Sequence, residues 1–107
     1  MNFDCYRVSL ELISELRKVV ERLERVDRGL ADQLRRSATS ISLNLAEGSG
    51  RAGKDKTKHF RYAFGSAKEV RAALQISQAW GYLQGFDLQA PEELLERLHR
   101  MLWRLTH

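Results

Sequence analysis

Gly48, Gly50 and Gly53 stand at the spacing G-x-G-x-x-G, with which dinucleotide-binding proteins bring a pyrophosphate onto backbone amides. That chemistry needs a strand before the glycines and a helix directly after them, so that the phosphates meet the helix N-terminus. Here a helical pattern precedes them and no alternating strand pattern occurs in the chain. The glycines are therefore expected to end one helix and supply a flexible loop. Gly48, Gly53 and Lys54 also approximate a P-loop, but Asp55 occupies the place of the magnesium-binding hydroxyl and would repel phosphate.

Glu96 and His99 form an E-x-x-H pair, the ligand spacing of di-iron bundles, which require two such pairs and two further inward carboxylates. His59 and His107 are preceded at that spacing by Lys56 and Arg104, so no second pair exists. Three scattered histidines and the single Cys5 match no zinc-ligand pattern, and His99 is expected to face solvent. No Ser-His-Asp or Cys-His arrangement has geometric support. Glu47 and Glu69 could act only as paired acids lining a cleft, and the helices expected to carry them would meet in a seam. The expectation is a protein without catalytic site, metal or cofactor.

The segment 51–61 is the strongest candidate for binding chemistry. Arg51, Lys54, Lys56, Lys58 and Arg61 stand there against Asp55 alone, a local excess equal to the +4 of the whole chain. Phosphate contacts by such residues give affinity without sequence information. A charge run is also what any solvated loop and first helical turn carries. Repetition of the cluster around a symmetric assembly would turn weak contacts into multivalent ones.

The elements that position these residues follow from apolar spacing. Tyr6, Leu10, Ile13, Leu16, Val20 and Leu23 recur at helical intervals, predicting a first helix over about 3–26. Asp27-Arg28-Gly29 reads as a turn. Leu30, Leu34, Ala38, Ile41 and Leu45 predict a second helix over about 29–48, beside a polar column of Ser37, Ser40, Asn44 and Glu47. Phe60, Ala63, Phe64, Ala67, Val70, Leu74 and Ser77 predict a third over about 56–83, with Asp55 or Thr57 as its cap. Pro91 fits the first position of a fourth helix over about 90–106, whose buried face holds Leu94, Leu95, Leu98, Met101, Leu102 and Leu105. Four helices with short connections in 107 residues predict one all-α domain, an antiparallel up-and-down four-helix bundle.

Trp80, Tyr82, Phe86 and Trp103 are expected around the ends of the third and fourth helices. So thin a bundle cannot bury them all, which makes them candidates for a subunit contact. The lone cysteine, and a start with neither a charged leader nor a long apolar run, suggest a cytoplasmic protein.

Two segments carry a resemblance. Residues 33–48, QLRRSATSISLNLAEG, are similar to the QLRRAxxSIxxNIAEG signature, with Ser37 where alanine is usual. Residues 60–69, FRYAFGSAKE, are similar to FxxxAxGSxxE with one residue fewer between Phe60 and Ala63, and WGYL follows at 80–83. Together they resemble the four helix bundle proteins first noticed as products of intervening sequences within bacterial 23S rRNA genes. The resemblance implies homo-oligomers, pentameric rings among them, with no enzyme activity. A related accessory protein of diversity-generating retroelements works with a reverse transcriptase through a basic surface, which is an analogy of fold. The motif positions Ser40, Asn44, Glu47, Gly65, Ser66 and Glu69 read as structural: polar groups fix register across a seam that small residues close. Replacing Asn44 with Leu should then impair folding or assembly, and unaffected folding and assembly would reject that role. The alternatives are a functional polar groove at these positions, and a protein-interaction module that has no nucleic-acid role.

Overall fold

The computed structural model describes residues 3–107, in four helices: α1 (Phe3–Val26), α2 (Arg28–Ser49), α3 (Gly53–Ala79) and α4 (Gln89–Thr106). α1 buries Cys5, Val8, Leu12, Leu16, Val19 and Leu23. The expected stripe shares only Leu16 and Leu23 with that set. Two apolar series run along α1 at helical spacing, and α1 contacts both α2 and α4, so it presents a wide apolar arc. The series through Tyr6, Ile13 and Val20 flanks the core, and Leu10 is 44% exposed. Burial pushes the Cys5 thiol up to about 11, so it stays protonated at neutral pH.

The chain passes from α1 to α2 through one residue. Asp27 leaves helical geometry, and its Oδ1 accepts from the Leu30 amide at 3.1 Å, capping α2. Its Oδ2 accepts from the Tyr82 hydroxyl at 3.2 Å, which ties the α3–α4 connection to the same end of the bundle. The expected turn over residues 27–29 thus contracts to the cap itself.

The connection from α2 to α3 is also shorter than its glycines suggest. α2 runs through Gly48 to Ser49, and α3 begins at Gly53, whose φ of +62° turns the chain with no Cβ to strain. Asp55 and Thr57 therefore lie inside α3 rather than capping it. The N-cap is Ala52, with no side-chain bond, and the Thr57 hydroxyl donates back to the Gly53 carbonyl at 3.4 Å. α3 ends at Ala79, short of the expected 83, where the chain folds over and buries Leu83. Pro91 is the third residue of α4, not the first; its missing N–H is harmless anywhere in the first turn.

Contacts between helices fix their directions. Ser9 meets Ser42 at 2.8 Å and Glu24 meets Arg35 at 3.0 Å, so α2 runs against α1. Ser40 meets Ser66 at 2.9 Å while Gln33 meets Glu69 at 3.1 Å, reversing α3 against α2. Phe64 lies beside Trp103 at 6.2 Å and Arg71 beside Glu96 at 3.2 Å, reversing α4. The N-terminus of α3 and the C-terminus of α4 therefore share one end, opposite the Asp27–Tyr82 tie. No helix among the described residues is long and apolar enough to cross a membrane.

Candidate nucleic-acid interface

The α2–α3 seam sets which face α3 turns outward. Gly48 is buried in it: a Cβ there would lie 2.8 Å from Cε1 and 2.9 Å from Cδ1 of the buried Phe60 ring. Gly48 is thus a close-packing residue, not the helix stop that its neighbours Ser49 and Gly50 suggest. Higher in the seam, Asn44 Nδ2 donates to the Ser40 carbonyl at 3.0 Å and to the Ser40 hydroxyl at 3.1 Å. A carbonyl can only accept, so the amide presents Oδ1 to His59 Nδ1 at 3.1 Å, and the ring nitrogen donates. Ser66 completes the chain with its bond to Ser40. These bonds are why loss of the Asn44 amide is expected to loosen the seam.

The other motif residues occupy different places. Glu69 is exposed at the seam's edge and accepts from Gln33. Glu47 is exposed and pairs with Arg51 at 3.7 Å. Glu47 and Glu69 lie on different helices with separate partners. A shallow groove of about 290 Å³ runs between Arg36, Ser37, Ser40, Ser66 and Glu69. Gly65 does not close the seam: it faces outward, and nothing lies within 4 Å of where its Cβ would be.

The basic residues separate in the same way. Only Arg51 belongs to the inter-helix link, where it bridges Glu47 and, at 3.3 Å, Asp55. Lys56 turns inward over the Phe60 ring at 6.0 Å. Lys54, Lys58 and Arg61 are exposed on the outer face of α3. Their spacing extends to Lys68, which lies seven residues after Arg61 as Arg61 lies seven after Lys54. Two turns separate each member of that series, about 10 Å of rise. Among the described residues none of these four cations makes an ion pair. Lys58 sits 5.8 Å from the Tyr62 ring centroid and Lys68 sits 4.8 Å from that of Phe64. Lys68 lies beyond the basic segment 51–61, and its heptad spacing from Arg61 along an exposed helix is its only signal in the sequence.

The four aromatic residues do not form one cluster. Trp80 is 69% exposed and stacks on Tyr82 at 6.3 Å, at the Asp27 end. Tyr82 is held by Asp27, and Phe86 packs partly against the core. Trp103 lies at the opposite end against Phe64, because α4 returns antiparallel. No single contact of one patch can use all four.

His99, expected in solvent, is half-buried with its ring 4.8 Å from that of Phe64. Burial first, then the charges of Arg71 and Lys68, hold its pKa below the ordinary 6.5, with Glu96 opposing. A proton then binds the unfolded chain more readily than the folded one. The stabilising effect is full above about 6.5 and is lost as pH falls through the lower folded value. Melting curves at pH 7.5 and 5 should show a smaller acid-induced loss of Tm in His99→Gln than in the wild type. Equal losses would mean that His99 is not the group responsible.

No curated relative matches the chain significantly. The 23S rRNA-intervening sequence protein family matches residues 1–104, a span that takes in all four helices up to the last turn of α4. That match, together with the four-helix fold, establishes that the chain belongs to the 23S rRNA-intervening sequence protein family.

Proposed function

We propose that this protein is a non-enzymatic, homo-oligomeric helical scaffold that contacts nucleic acid through the outer face of α3. The observation that carries this reading is the stripe of Lys54, Lys58, Arg61 and Lys68, four exposed cations on one face that make no ion pair among the described residues. Elsewhere Arg7, Arg17, Arg35, Arg51, Arg71 and Arg100 each have a carboxylate within 4.0 Å. Arg25, Arg28, Arg36, Arg97 and Arg104, by contrast, are exposed and make no ion pair among the described residues, so alignment on one face is what sets the stripe apart. Unpaired cations at regular spacing suit a ligand that carries its own regularly spaced negative charge. Family membership supports a role beside RNA, without naming the RNA.

Assembly is assigned to the opposite side of the bundle. Between α1 and α2 a groove is lined by the apolar Ile13, Leu16, Val20 and Ala38 together with the charged Arg17, Glu21, Glu24 and Arg35. Leu10 and Leu43 are 44% and 62% exposed on these same two helices. Exposed apolar surface of this kind favours a second copy of the chain, and a closed ring would repeat the α3 faces. Fluorescence anisotropy with a labelled RNA or DNA tests the binding reading. Binding at low salt that weakens steeply with added salt is expected, and no binding at low salt would reject it.

A further inference from the structure

The basic stripe borders an aromatic cluster whose composition is not that of a core. Phe64 lies between Arg61 and Lys68 along α3, on the side toward α4. Its ring touches His99 at 4.8 Å, His107 at 5.9 Å and Trp103 at 6.2 Å. Phe64 is 9% exposed, yet Trp103 keeps 51% of its surface in solvent. The indole stacks on the His107 ring at 3.5 Å and 13°. It is a half-exposed aromatic surface joined through the Phe64 ring to Lys68 of the stripe.

We infer that Trp103 is a stacking platform for an unpaired base of a single-stranded nucleic acid whose phosphates follow Lys68, Arg61 and Lys54. This rests on the proposed contact of α3 with nucleic acid and adds the form of the ligand. Cationic tracks combined with aromatic platforms are how proteins hold unpaired strands, because every base offers a π-face. In a duplex those faces are already stacked and the grooves present only base edges. An indole packed against Phe64 and His107 reaches between paired bases only by prying them apart. The other exposed aromatics fit less well. Trp80 stands at the far end from the stripe, and Tyr62 has the Lys58 ammonium near its ring.

The chain's two tryptophans make the test direct. In a Trp80→Phe background all indole emission comes from Trp103. Titration with an unpaired oligonucleotide of about twelve residues, in ribo and deoxy forms, should quench that emission. The same sequence as a duplex should bind through charge alone and leave it unchanged. Trp103→Ala should weaken single-strand binding on the order of ten-fold and leave duplex binding in place, while Trp103→Phe keeps part of the affinity if the alanine variant folds poorly. Salt-sensitive binding with no quenching, or equal preference for duplex and single strand, would overturn the platform and leave the basic stripe standing. Absence of binding by any of these nucleic acids at low salt would overturn both.

Discussion

Converting Lys54, Arg61 and Lys68 together to Gln is expected to reduce nucleic-acid affinity and, more tellingly, its dependence on salt. Each lost phosphate contact removes about 0.7 to 0.9 from the slope of log K against log salt, so three remove about 2 to 3. Between 50 and 200 mM salt the wild type should then lose about 20- to 40-fold more affinity than the variant. The fold should survive the change. All three residues are exposed and make no ion pair among the described residues, and surface substitutions of this kind usually fall within about 0.5 kcal/mol. Arg51→Gln provides the contrast, because Arg51 already serves Glu47 and Asp55. Its slope should match that of the wild type. Anisotropy titrations at several salt concentrations check both, and equal slopes for the triple variant and the wild type would place the contact elsewhere.

Gly48→Val should lower stability by about 2–3 kcal/mol through overpacking, while Gly65→Ala should raise it by about 0.5–1 kcal/mol. Both glycines lie within helices, where glycine is the poorest residue short of proline, so propensity alone favours each replacement. Space decides the difference. At Gly48 the first added carbon already meets the Phe60 ring at 2.8 Å and His59 Cβ at 3.2 Å, and neither can swing aside as a flexible tip would. At Gly65 the added carbon meets nothing. For a domain near this size each 1 kcal/mol moves Tm by about 4 °C or more. Thermal melts should therefore separate the two variants by roughly 10 °C or more. A Gly48→Val protein that melts with the wild type would mean that α2 and α3 do not approach as closely as described.

These two glycines also show where the sequence was legible and where it was not. Apolar spacing was enough to give four helices, and most of the buried residues of α2, α3 and α4, because each of those faces is a single stripe. It misjudged α1, where two apolar series overlap and only the packing against α2 and α4 decides which is innermost. Gly48 reads as the end of a helix and Gly65 as a residue that closes the seam, and the structure reverses the two. Which one is enclosed depends on how α2 and α3 are each rotated about their axes, a tertiary quantity. The rotation of α3 also separates Lys56, turned over Phe60, from Lys54 and Lys58 on either side of it. Helix starts were misplaced for a different reason: glycines at 50 and 53 suggest a loop, yet one positive φ suffices to launch α3. The aromatic residues were grouped by their nearness to helix ends, and the antiparallel return of α4 then put Trp103 and Trp80 at opposite ends.

The claim that the outer face of α3 meets nucleic acid is tested most directly by mapping amide chemical-shift changes as an unlabelled oligonucleotide is added to the isotopically labelled protein. The predicted changes concentrate along α3 from Lys54 to Lys68 and at Trp103 on α4. The α1–α2 flank around Leu10 and Leu43 should remain unchanged. Changes centred on that flank, or spread evenly over a protein that binds, would contradict the assignment.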